Sequence, residues 1–308
     1  AAPRSTSAAT MADFQYRARS IRLPRRFSFV PMLSALRILF DVVVFRLRRL
    51  EMANLAGAVS VMLALRLPVS DVVLRTGFAL LLNVLAYLTN DYCDLERDLK
   101  AGRAEGKTRF LAEHRRAALG AQIALGAILA AIALGLSPGL LVALVFGEGL
   151  CWLYSVKVKR MPFADVIVMA VCGGAMALVA VPLDRGLGWL LVAHLALFSG
   201  AFELIQVMRD RLEDAESEVV TTAVKLGERS TLLVLRFWMA LTAAFATLTL
   251  HRFVGPALAI AIFLPYAQGG AKSYWNQVRL VFGLVWLGIV VATALAGRSH
   301  GLWLELGD

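Results

Sequence analysis

The sequence predicts an all-α, polytopic membrane protein: nine transmembrane helices in a bundle with a central cavity, preceded by an interfacial amphipathic helix. Three observations lead there. Of 308 residues, 59% are hydrophobic and only 18% charged, with a mean hydropathy of +0.70, more apolar sequence than a soluble core of this length requires. The apolar residues fall into runs of about bilayer length, punctuated by Pro68, Pro138-Gly139, Pro182 and Gly255-Pro256. Two groups of acidic residues stand at the ends of two of those runs.

Taken in order, residues 1–26 form a basic arm carrying Arg17, Arg19, Arg22, Arg25 and Arg26, and residues 1–10 are small and low in complexity, as an added leader would be. Residues 27–49 are apolar but broken by Pro31, Arg37 and Asp41, the pattern of a helix lying in the interface. The remainder, 50–308, reads as one transmembrane domain with spans near 51–67, 70–92, 115–135, 138–155, 163–182, 186–208, 231–250, 254–270 and 276–297. Fifteen Lys and Arg residues, among them Arg97, Lys107, Lys159 and Arg211, fall in the loops after even-numbered spans. The opposite loops and the C-terminus hold only Arg66, Arg75, Arg185, Arg252 and Arg298. This asymmetry predicts a cytoplasmic N-terminus, an external C-terminus and residence in the cell (inner) membrane.

The net charge of +10 does not imply nucleic acid, because the basic residues sit in short loops rather than on one folded face. Cys93, Cys151 and Cys172 lie in or beside apolar runs with neither disulfide nor zinc spacing. No protein partner is implied; lipid is.

The candidate site begins at the end of the second span. At about 100° per residue, Asp91, Asp94 and Asp98 share an arc of about 60°, bordered by Asn83, Tyr87 and Asn90. Glu203, Gln206, Asp210 and Asp214 line one face at the end of the sixth span. Four crossings separate the groups, so both open on the same side. Carboxylates gathered there call for a hard divalent cation such as Mg²⁺, which completes its shell with water and phosphate oxygens.

Asn90-Asp91-x-x-Asp94-x-x-x-Asp98 and Asp210-x-x-x-Asp214, in this order and with spans around them, resemble the UbiA superfamily of intramembrane prenyltransferases from about Arg48 onward. The resemblance implies Mg²⁺ ions held by Asn90, Asp91, Asp94, Asp98, Asp210 and Asp214. An isoprenoid diphosphate would bind through them and lose diphosphate to leave an allylic cation. Tyr154-Ser155…Lys159-Arg160 is similar to a Tyr-Ser…Leu-Lys segment of that superfamily, which adds Tyr154, Lys159 and Arg160 to the diphosphate-binding candidates beside Arg49, Arg103 and Arg109. Phe110 and Leu50 stand where the superfamily has proline, and the Pro-Pro of the Tyr-Ser segment is missing.

An allylic cation needs a dry pocket with aromatic walls; Tyr87, Trp152, Phe198 and Phe202 are candidates, and Glu148 and His194 are ionisable groups inside spans. The leading expectation is Mg²⁺-dependent prenyl transfer to an acceptor, most often aromatic in this superfamily. The alternatives are a terpene cyclase of the same superfamily, phosphoribosyl transfer to a polyprenyl phosphate, suggested by the pattern from Tyr154 to Asp165, and an ion-coupled transporter.

Overall fold

A computed structural model describes residues 30–48, 52–100 and 106–307. They are helical throughout: the described residues contain no β-strand, only isolated bridges between His251 and His300 and between Arg298 and Gly307. The helices are α1 (Val30–Arg48), α2 (Ala53–Ala64), α3 (Val69–Lys100), α4 (Gly106–Glu113), α5 (Arg115–Leu136), α6 (Pro138–Val156), α7 (Ala164–Ala177), α8 (Gly186–Glu216), α9 (Thr222–Leu226), α10 (Glu228–Phe245) and α11 (Ala271–Ala296).

Six are long and apolar enough to cross a membrane: α3, α5, α6, α8, α10 with its continuation to Leu250, and α11. Shorter apolar helices stand at the other three expected spans. The first is α2; the fifth is α7, running on into a 3₁₀ turn at Leu178–Ala180; the eighth is a nine-residue 3₁₀ helix, Gly255–Phe263. It follows a π-helical turn at Ala246–Leu250, and Pro256 stands in its first turn, where a missing N–H is tolerated. Residues 1–26, Arg49 and Arg103 lie outside the described residues, and α1 covers most of the expected 27–49 helix.

The two helices that carry the acidic motifs are the two longest, at 32 and 31 residues. At 1.5 Å per residue each extends to more than 45 Å, against about 30 Å of hydrocarbon. Each is thus long enough to reach beyond that layer, and the aspartates stand towards its C-terminal end.

Behind them, α7 packs closely on α8. Gly173 and Gly174 face Ser199 and Ala196, and a Cβ built on Gly173 would lie only 2.3 Å from that of Ser199. Small residues at a helix crossing let backbones approach where lipid supplies no hydrophobic driving force. This contact sets the spacing between the α6–α7 connection and the second acidic motif.

Candidate active site

At their C-terminal ends, α3, α6 and α8 are joined by pairs of opposite charge. Lys159, in the 3₁₀ turn after α6, donates to Asp94 Oδ2 at 2.8 Å, and Arg97 Nη2 lies 3.1 Å from the same oxygen. Lys159 also lines a cavity with Asp210 and Asp214, so one ammonium stands beside both acidic motifs. Ser155 Oγ, 3.1 Å from Asn90 Oδ1, adds a second link between α6 and α3.

A cavity of ≈ 260 Å³ opens beside this junction. Arg97, Lys159 and Arg209 line it with Asp210, Asp214 and Gln206, and Tyr154 and Glu203 border its interior. Asp210 is held by a two-pronged pair with Arg209, at 2.7 and 3.0 Å, which is partly exposed. Deeper in, the Tyr154 hydroxyl donates to Glu203 Oε1 at 2.7 Å; both residues are buried.

The three aspartates of the first motif do not converge on one point. Asp94 faces Lys159, whereas Asp91 and Asp98 line a smaller cleft of ≈ 40 Å³ under α1 and α4, together with Asp41 and Lys107. Arg46 of α1 donates to Asp91 Oδ1 at 2.7 Å and stacks over Tyr87 at 4.3 Å. Lys107 of α4 donates to Asp91 Oδ2 at 3.0 Å and sits 3.6 Å above the ring of Phe45. Arg46 is a site residue that the sequence does not point to: its only signal is a basic residue ending an apolar helix, and its pairing depends on α1 folding across α3.

Asp165 was another such residue, visible only as the end of a sequence pattern. Fully buried at the start of α7, it accepts the Thr222 backbone N–H at 2.8 Å and the Thr222 hydroxyl, while Phe163 N donates to Thr222 Oγ1 at 2.7 Å. This clasp holds Phe163 at φ 70°, a conformation costly for a bulky residue unless its surroundings impose it. It ties the loop after the second motif to the α6–α7 connection.

Other expected site residues lie elsewhere. Arg109 and Arg160 are exposed and do not line the cavity. Trp152, expected as a cavity wall, is corrected to a surface position: its side of α6 turns outward and it is 54% exposed. Phe198 and Phe202, the other expected aromatic walls, stack in a column with Trp275, Phe282 and Trp286. Asn83 is buried and donates to Ala79 O at 2.8 Å. Glu148 Oε1 lies 2.5 Å from Thr89 Oγ1, between α6 and α3, and does not border the cavity.

Among the described residues, no three His, Cys, Asp or Glu side chains form a ready metal cluster. The donors nevertheless suit Mg²⁺. They are carboxylates at the ends of two neighbouring helices, of which Asp91, Asp94 and Asp210 are paired with Arg46, Lys107, Lys159, Arg97 or Arg209. Such a set fits an ion that takes few protein ligands and shares a phosphate with them.

A helical membrane bundle with a charged cavity between two long helices defines the class of this protein. Within that class, the family model for the UbiA prenyltransferase family matches residues 53–279, and the chain belongs to that family. Among solved structures, it is similar to a digeranylgeranylglyceryl phosphate synthase at 12% identity and a TM-score of 0.58, covering 86% of this chain and 99% of that one. A UbiA homologue from Archaeoglobus fulgidus bound to DMAPP and Mg²⁺ has 15% identity and a TM-score of 0.57, over 85% and 99% of the chains. The apo form of one from Aeropyrum pernix K1 has 19% identity and a TM-score of 0.57, over 80% and 96%. At these identities the likeness is one of fold. No curated protein matches the sequence.

Proposed function

We propose that this protein is a Mg²⁺-dependent prenyltransferase that ionises an isoprenoid diphosphate at its cytoplasmic mouth and transfers the prenyl group to an acceptor, most often an aromatic ring. The observation that carries this reading is the position of Lys159 and Arg97: both pair with Asp94 of the first motif and line the cavity of the second. Membership of a prenyltransferase family and the DMAPP and Mg²⁺ held by a structural neighbour support it.

Asn90, Asp91, Asp94, Asp98, Asp210 and Asp214 would hold Mg²⁺, which supplies charge neutralisation on the leaving phosphate oxygens when bound. Lys159 and Arg97 add fixed positive charge at the place where negative charge develops, an effect strongest where water is scarce. Arg46 and Lys107 hold Asp91 in position. Carboxylates, lysine and arginine around one diphosphate replace an encounter in solution with a positioned reaction.

In this reading all nine apolar segments sit within the membrane, the acidic end faces the cytoplasm and the C-terminus lies outside. The α1 helix rests in the interface; its exposed Met32, Leu33, Leu36 and Phe40 support contact with lipid. A terpene cyclase is the second reading. It is favoured by the outward position of Arg109 and Arg160: two basic groups expected at the site lie away from the cavity, and a cyclase has no second substrate to hold.

The test is diphosphate release from geranyl, farnesyl and geranylgeranyl diphosphates by purified protein, with and without Mg²⁺, with products identified by mass. Release that needs Mg²⁺ and is lost in Asp91→Ala and Asp210→Ala is expected. A product containing no second substrate selects the cyclase. No release from any of the three, with phenolic acceptors present, overturns both readings.

A further inference from the structure

We propose that Glu203 is the proton acceptor of this site and that Tyr154 positions it; this rests on the reading of the protein as an enzyme that ionises prenyl diphosphates. Most acidic groups bordering the cavity stand at its mouth, on the last turns of α8. Glu203 does not: it lies seven residues before Asp210 on the same helix, about 10 Å deeper at 1.5 Å per residue. That depth is beside the hydrocarbon next to the diphosphate rather than beside the diphosphate itself.

A carboxyl group only 3% exposed inside an apolar helix is costly to keep and is retained where it has a task. Its first oxygen is occupied by the Tyr154 hydroxyl at 2.7 Å, which sets its orientation, and the residue borders the cavity. Lys159 lines the same cavity, so Glu203 shares it with the ammonium that pairs with the first motif. Glu148 and Asp165, two further carboxyls in apolar segments, are bound to Thr89 and Thr222 and do not border this cavity.

The chemistry needs such a group whichever way the cation is captured. The allylic C–O bond breaks and its electron pair leaves with diphosphate. The π electrons of an acceptor ring, or of another double bond in the same chain, form the new C–C bond and move the positive charge to a neighbouring carbon. A C–H bond beside that carbon then breaks, its electrons restoring a double bond, and the proton passes to Glu203. Without a base at this depth, water entering from the mouth captures the cation and the product is an alcohol.

The experiment uses the full chain in lipid nanodiscs with geranylgeranyl diphosphate and Mg²⁺, with and without a phenolic acceptor. It counts deprotonated products, alkene or prenylated ring, and alcohol for each diphosphate released. Deprotonated product per diphosphate is expected to fall at least tenfold in Glu203→Gln, with alcohol rising to match. Tyr154→Phe should shift the same ratio in the same direction by less, and Glu203→Asp should recover part of it. Because the ratio is taken per ionisation event, a loss of folded protein does not move it. An unchanged ratio in Glu203→Gln overturns the proposal while leaving the ionisation reading intact. A wild-type protein that releases no diphosphate overturns both.

Discussion

The two ends of this bundle use the same amino acids in opposite ways. At the acidic end, Lys159, Arg97, Arg46, Lys107 and Arg209 pair with side-chain carboxylates, and space remains between them. At the other end, arginines bind backbone. Arg66 donates to Ala294 O and Leu295 O at 2.5 and 2.6 Å, in the last turn of α11, and Arg185 donates to Leu65 O at 2.8 Å, just past the end of α2. These carbonyls have no partner within their own helices, and the negative ends of the helix dipoles favour a cation there. The residues after α11 then fold back: Arg252 N donates to His300 O, and Leu302 N and Trp303 N donate to Thr247 O and Leu248 O. A cation bonded to backbone closes a helix end and cannot be recruited elsewhere. One paired with a carboxylate can exchange that partner for a phosphate or yield it to a metal. The difference between a seal and a site is thus the partner, not the charge.

This contrast can be broken most severely at the carboxylates. Asp91→Ala and Asp210→Ala are each expected to slow diphosphate release by about a hundredfold or more, the scale of losing a principal electrostatic contributor. Steady-state release assays with Mg²⁺ measure it. Next comes Lys159→Met, which removes the cation shared by the two motifs; a fall in kcat/KM of about 10- to 100-fold is expected, about 1.4 to 2.7 kcal/mol. Rescue by Lys159→Arg would show whether charge at that position suffices.

The clasp behind the site should respond through stability. Thr222→Val removes one of the donors that satisfy the buried Asp165 carboxylate, at a cost of about 1–3 kcal/mol. A lower thermal unfolding temperature in detergent would register it. At the opposite end, Arg66→Ala exposes two carbonyls to solvent rather than burying them, so a smaller cost of about 1 kcal/mol is expected, with diphosphate release per folded molecule unaltered. If that release fell tenfold, the two ends would be coupled and the division drawn here would fail. The smallest effect is expected from Arg209→Ala, which breaks a partly exposed pair, changing release about threefold or less.

Much of the bundle was legible because membrane helices announce themselves. Length and hydropathy mark α3, α5, α6, α8, α10 and α11, since each must satisfy its own backbone in lipid. The segment at 254–270 was less legible, because hydropathy records apolar character and not backbone geometry. The chain there forms a π-helical turn at Ala246–Leu250 and a 3₁₀ helix at Gly255–Phe263. The acidic motifs were equally readable as groups, since periodicity places Asp91, Asp94 and Asp98 on one side of α3. Periodicity does not say which neighbours divide that side, and Asp91 and Asp94 have entirely different partners.

By itself, then, the sequence determined that this is a helical membrane protein of the UbiA kind with two acidic motifs at one end, because hydropathy, charge asymmetry and helical spacing are local properties of the chain. Only the tertiary structure decided which cation meets which carboxylate. It brought Arg46 from α1 onto Asp91 and set Lys159 between the two motifs. It turned Trp152 outward and buried Glu203 beneath Tyr154. Those pairings join residues 45 to 65 positions apart, where sequence carries no distance information and packing alone selects the partner.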